Sequence, residues 1–170
     1  VAGEAMLDPA HPAMSDVNHA RRGHENCVES WLQRSVDHDS PVELARLLYR
    51  ATDALWDRAV TTLGTVTLTA IVGRVFHRAE ARYPFLANTH GLASQRKGND
   101  VNRIAGVPTS EVIDGMRFAL IELLAVVGRL TAEILTPELH AALHSVAPSK
   151  ALEPGRPESR TSAALADEAS

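Results

Sequence analysis

The sequence predicts an all-α protein: a small helical bundle of about four helices, one of them long, central and heptad-patterned, with disordered N- and C-terminal tails. Three observations carry this prediction. All nine prolines fall outside or at the edges of the periodic segments, leaving residues 42–83 and 109–136 free of them. Proline lacks an N–H and clashes with the preceding turn, so proline-free runs of this length are where helices can form. Within those runs the apolar residues recur every three or four positions, the period of one helix face. No pair of alternating segments stands ready to form a sheet.

The first run opens with Asp39 and Ser40 ahead of Pro41, a helix start. Leu44, Leu48, Ala51 and Leu55 then share one face, with Glu43, Arg46, Arg50, Asp53 and Asp57 opposite. Tyr49, Trp56, Val60 and Leu63 form a second apolar edge. Near Gly64 the phase breaks, which places a turn or a register slip there, and the pattern resumes as Leu68, Ile71, Val72, Val75 and Ala79. Thr65 to Thr69 also alternates as a strand would, but the helical period after it favours a helix. Residues 84–108 lack periodicity, and a connection of that length is usually functional or mobile.

Thr109 or Ser110 is the expected cap of the next helix, in which Ile113, Met116, Leu120, Leu123, Val127, Leu130 and Ile134 alternate spacings of three and four. That is a heptad seam, widened by Ile121, Leu124 and Val126. Such a broad face on a domain of about a hundred residues predicts a homodimer through the seam. Gly115 and Gly128 allow close approach on this helix. Thr136-Pro137-Glu138 starts a last short helix ending near Pro148.

Val28, Leu32 and Val36, with Trp31, predict a short docking helix over residues 24–38. The bundle domain is then residues 41–147. Residues 1–23 and 148–170 carry too little apolar periodicity to offset their ordering entropy, and are expected as disordered tails.

Composition narrows the function classes. The chain of 170 residues is 45% hydrophobic with net charge −4, ordinary for a globular domain and without the basic excess of a nucleic-acid binder. Its most apolar stretch, Phe118 to Val127, is interrupted by Glu122 and bounded by Arg117 and Arg129, too short and too charged to span a membrane. Cys27 is the single cysteine, and no signal-peptide pattern opens the chain, so it reads as cytoplasmic.

Several side chains are candidates for chemistry. His140 and His144, four apart on a helix, share a face and could hold a transition metal if Glu133 or His77 supplied a third ligand. A looser group of His19, His24, Cys27 and His38 lacks standard zinc spacing. His77 is placed mid-helix as in a phosphotransfer domain, but Glu80 stands where such domains carry lysine. Arg74, Arg78 and Arg82 stack along one ridge and repel one another, which requires an acid to relieve them. Asp53 could do so at Arg74 if the chain reverses near Gly64; otherwise an acidic or phosphorylated partner does, with Arg96 and Lys97 helping to hold it. Glu122, alone in an apolar run, is either a proton-transfer residue or an ordinary polar edge beside Asp114 and Arg129.

No nucleophile elbow, phosphate loop or dinucleotide fingerprint is present, and no cofactor is expected beyond a transition metal at His140 and His144. The reading is of a non-enzymatic interaction or regulatory module of signalling type. The alternative is a ligand- or metal-binding sensor using His140 and His144, and the third is a small enzyme or phosphotransfer module through His77.

Overall fold

The computed structural model describes residues 12–35, 40–87 and 104–147. Five α-helices follow one another: α1 (Pro12–Ser35), α2 (Pro41–Leu63), α3 (Thr65–Arg82), α4 (Thr109–Leu130) and α5 (Thr136–Ser145), with a 3-10 turn at Pro84–Leu86. Among the described residues there is no strand, and no helix is long and apolar enough to cross a membrane. Arg96, Lys97 and His38 lie outside the described residues, as do most of the 84–108 connection and the last tail.

Helix α1, of 24 residues, starts twelve positions before the docking helix expected over 24–38, and residues 12–23 of the expected tail belong to it. Its buried positions, His24, Cys27, Val28, Trp31, Leu32 and Ser35, form one helical stripe. The indole Nε1 of Trp31 donates to the carbonyl of Val146, 3.1 Å away, tying α1 to the end of α5.

Pro41 begins α2, where its missing N–H costs nothing. The expected face is buried through Leu44, Leu48, Ala51 and Leu55, and the second edge packs against the core through Tyr49, Trp56, Val60 and Leu63. The phase break at Gly64 is a sharp corner between two helices. Gly64 adopts φ 75° and ψ 158°, a conformation nearly exclusive to glycine; its N–H closes α2 on the Val60 carbonyl while its own carbonyl accepts from Leu68 to open α3. Thr65–Thr69 is therefore helix, and Leu68, Ile71, Val72, Val75, Phe76 and Ala79 line its buried face.

Helix α4 touches all four other helices. Pro108, and neither Thr109 nor Ser110, occupies its N-cap, and its carbonyl accepts from Val112. Phe85 of the 3-10 turn lies over Gly115 so closely that a Cβ there would stand 2.6 Å from the ring. The expected dimer seam is altered in two ways. Met116, Leu120, Leu123 and Val127 are buried inside the single chain, with Ile113 partly so. The helix also stops at Leu130: Ala132 and Glu133 take φ 50° and 62°, and the Glu133 N–H turns back to the Gly128 carbonyl at 2.7 Å. Leu130 and Ile134 are left 58% and 77% exposed. A heptad pattern records which face is apolar and not which chain covers it.

The core joins Trp31, Leu44, Leu48, Phe76, Met116 and Leu120, each essentially without exposure. A buried side chain of this size contributes about 1.5–3 kcal/mol.

The corner at Gly64 has a measurable signature. A Cβ at Gly64 or at Gly73, inside α3, would meet nothing within 4 Å, so substitution at either reports backbone preference alone. Gly64→Ala is expected to destabilise by about 1–3 kcal/mol, and Gly73→Ala to stabilise by about 0.5–1 kcal/mol. Thermal melts of the two variants should shift in opposite directions; a shift of the same sign would refute the assigned corner.

Candidate functional site

Two polar groupings interrupt the apolar packing, and both are built on α1. On α1, positions 24 and 27 face α5, where positions 140 and 144, one turn apart, meet them. His24 Nδ1 lies 3.0 Å from His140 Nε2, with the rings edge to face. One of the two nitrogens carries the proton and the other accepts it. One turn on, Cys27 Sγ lies 3.5 Å from His144 Nε2, and the Arg34 guanidinium meets His144 Nδ1.

Arg34 fixes the direction of that second chain. A guanidinium only donates, so His144 Nδ1 accepts and the ring proton sits on Nε2, which then donates to the sulfur. His144 is thus unable to take the thiol proton, the reverse of a nucleophile–base pair. Burial moreover pushes the Cys27 thiol up to about 11, opposed only in part by Arg34. Cys27 is a buried neutral thiol and has no nucleophile's wiring.

Burial also lowers the pKa of all three histidines. Arg21 adds to this at His24 and Arg34 at His144; at His140 the neighbouring imidazoles do so, while Glu133 opposes it at His24 and His140. The rings are neutral near pH 7, with lone pairs available. Yet His140 and His144 each face a different residue of α1, and among the described residues no three His, Cys, Asp or Glu side chains converge as a metal site requires. His19 and His77 are exposed on α1 and α3.

The second grouping is a cleft of about 520 Å³ between α1, α3 and α4, closed at one end by the turn after α4. Arg21, His24, Arg78, Glu122, Arg129 and Glu133 line it. At its floor stands Glu122, 7% exposed, on the otherwise apolar face of α4. Arg21 Nη2 donates to one carboxylate oxygen at 3.1 Å and Arg78 Nη1 to the other at 3.0 Å. One carboxylate therefore ties three helices. Glu122 is neither a polar edge nor an isolated acid.

His24 forms part of the wall. It is 1% exposed; its Nδ1 is taken by His140, while its Nε2 has no hydrogen-bond partner and lies 3.5 Å from Glu133 Oε2. Glu133 is aimed by the left-handed turn and by Thr136, whose hydroxyl donates to the same oxygen. Gly128 makes room for it, since a Cβ there would stand 2.6 Å from the carboxylate.

The arginine ridge on α3 is relieved at its centre from within the chain, through Arg78 and Glu122. Arg82 stacks its guanidinium 5.7 Å from the ring centres of Tyr83 and Phe118, and Arg74 is exposed. Sequence reasoning missed Arg21 and placed His24 only in a loose group with His19, Cys27 and His38, because the segment before residue 24 carries no apolar stripe. The available signal was their spacing with Val28 and Trp31, which continues one helical face.

No protein-family model, curated protein or solved structure matches this chain.

Two measurements check the site. Cys27 should resist iodoacetamide at pH 7.5 in the native protein and react once the chain is unfolded, read by intact mass; rapid native labelling would contradict the assigned hydrogen-bond direction. The histidines should make stability pH-dependent. Their folded pKa values lie below the unfolded value of about 6.5, so the unfolded chain binds more protons and stability is lost as pH falls through that value. Melting temperature should drop between about pH 7.5 and 5, and His140→Gln should flatten the slope. An unchanged slope in that variant would show the α1–α5 cluster to be irrelevant.

Proposed function

We propose that the chain is a non-enzymatic regulatory module, a helical bundle whose state is set by a small molecule held in the cleft between α1, α3 and α4. The observation that carries this reading is convergence. Three arginines, two glutamates and a buried imidazole nitrogen without a hydrogen-bond partner line one open cleft of about 520 Å³. Its volume falls within the roughly 300–1,000 Å³ usual for small-ligand sites, and a few converging polar groups are how such sites select what they hold.

This moves the sensor site expected at His140 and His144 by one layer. His140 becomes a positioning residue: it takes the Nδ1 side of His24 and leaves Nε2 toward the cleft. The thiol–imidazole pair at Cys27 supports a structural role, for the reason given by Arg34. A regulatory reading also suits the way the cleft is built, because its walls come from three helices joined at Glu122, and a ligand there acts on their mutual packing.

Filling the cleft tests the proposal. Ala125 lines it, half-buried on α4. A collection of small metabolites should contain compounds that raise the melting temperature of the full chain, and Ala125→Trp should abolish the response while leaving the helical spectrum intact. At a ligand concentration of about 100 Kd the stabilisation is roughly 2.7 kcal/mol. Absence of any stabilising compound, or hits indifferent to Ala125→Trp, would overturn the reading.

A further inference from the structure

We infer that the ligand of this cleft is a small oxyanion, of the phosphate or dicarboxylate class, and that it competes with Glu122 for Arg21 and Arg78. This rests on the ligand-binding reading above and goes beyond it in naming the ligand's chemistry and the switch it throws.

The floor of the cleft is already an oxyanion site with an oxyanion in it. Two guanidinium groups from different helices each hold one oxygen of the same carboxylate, at 3.1 Å and 3.0 Å. Each guanidinium gives one charge-assisted N–H to one oxygen, the kind of contact arginine offers to carboxylates and phosphates. Here the acceptor is supplied by the chain itself. The carboxylate is buried, whereas the side chains of Arg21 and Arg78 are 49% and 59% exposed, so both cations can be reached from the cleft without moving the helices.

The rest of the lining suits an anion with a second polar end. Arg129 is exposed on the same wall and uses its Nε on the Ala125 carbonyl of its own helix, which directs the remaining donors outward. His24 Nε2 stands buried without a hydrogen bond, 3.5 Å behind the Glu133 carboxylate, so the wall beside the arginines is polar. Three arginines against Glu122 and Glu133 leave the lining with one positive charge in excess, and Arg21 also pairs through its Nε with Glu25 at the edge. Such a lining draws an anion in preference to a neutral molecule.

Competition with Glu122 gives the site a mechanical output. Of residues 18–23 on α1 all but the half-buried residue 20 are exposed, and Cys27 and Val28 beyond them are buried. Within that stretch Arg21 on Glu122 fastens α1 to α4. An anion that takes Arg21 for itself loosens that fastening and leaves the second half of the helix on the core.

Calorimetric titration of the full chain with inorganic phosphate and with succinate, at constant ionic strength, tests this directly. Glu122→Gln removes the competitor and should tighten binding of at least one of the two by about tenfold, within the usual range of coupling between sites. Arg129→Gln, a substitution at an exposed position, should weaken it by about tenfold, the loss of one charge-assisted contact. Preference between phosphate and succinate assigns the anion class. Saturation should also speed tryptic cleavage after Arg22 in the unsubstituted chain. If neither anion binds, or if Glu122→Gln leaves affinity and cleavage unchanged, the inference fails. Stabilisation by neutral compounds that Ala125→Trp blocks would leave the cleft reading standing alone, whereas silence in every arm removes both.

Discussion

A carboxylate sits where the sequence leaves room for a hydrocarbon, and the arrangement around it follows from that placement. Glu122 lies among Ile121, Leu123 and Leu124 on the helix that every other helix touches. An ionised group in such a place costs several kcal/mol unless it is paired and hydrogen-bonded. Two arginines, on α1 and α3, meet that requirement from opposite sides. Their side chains are long enough to reach inward while their stems cover apolar surface. The cleft is the space their approach leaves between the helices.

The contact between α1 and α5 obeys a different logic. His24 pairs with His140, Cys27 with His144 and Trp31 with Val146, so the partners ascend together and the two helices run in the same direction. Apolar ridges alone would tolerate a shift by one turn. Polar groups with directional partners do not, because a slip would leave buried nitrogen and sulfur atoms unsatisfied. The neutral imidazoles perform this without the desolvation cost that charged groups would carry.

The all-α class was legible because α2, α3 and α4 keep a helical period over many turns and proline or glycine punctuates them. Pro41, Gly64 and Pro108 mark their starts as chemistry requires. The start of α1 and its polar contacts were not legible: Arg21, His24 and Cys27 find their partners in Glu122, His140 and His144, more than a hundred positions away. Nor was the end of α4, where Ala132 and Glu133 take left-handed conformations with no glycine, asparagine or proline to announce them. The cleft was hidden for the same reason as α1. Arg78, Glu122 and Glu133 were each visible as residues, but the term that joins them lies in the segment whose polar stripe resembles a solvated tail.

The fastening of α1 answers to two properties of the solvent. Val28, Trp31 and Leu32 are held by burial, a force that salting-out ions strengthen. Arg21 on Glu122, and Glu29 with Arg117 further along, are charge pairs with half-exposed members, and mobile counterions screen them. A concentrated solution of sulfate therefore acts on one helix in two senses, tightening its apolar stripe while slackening the ion pairs beside it.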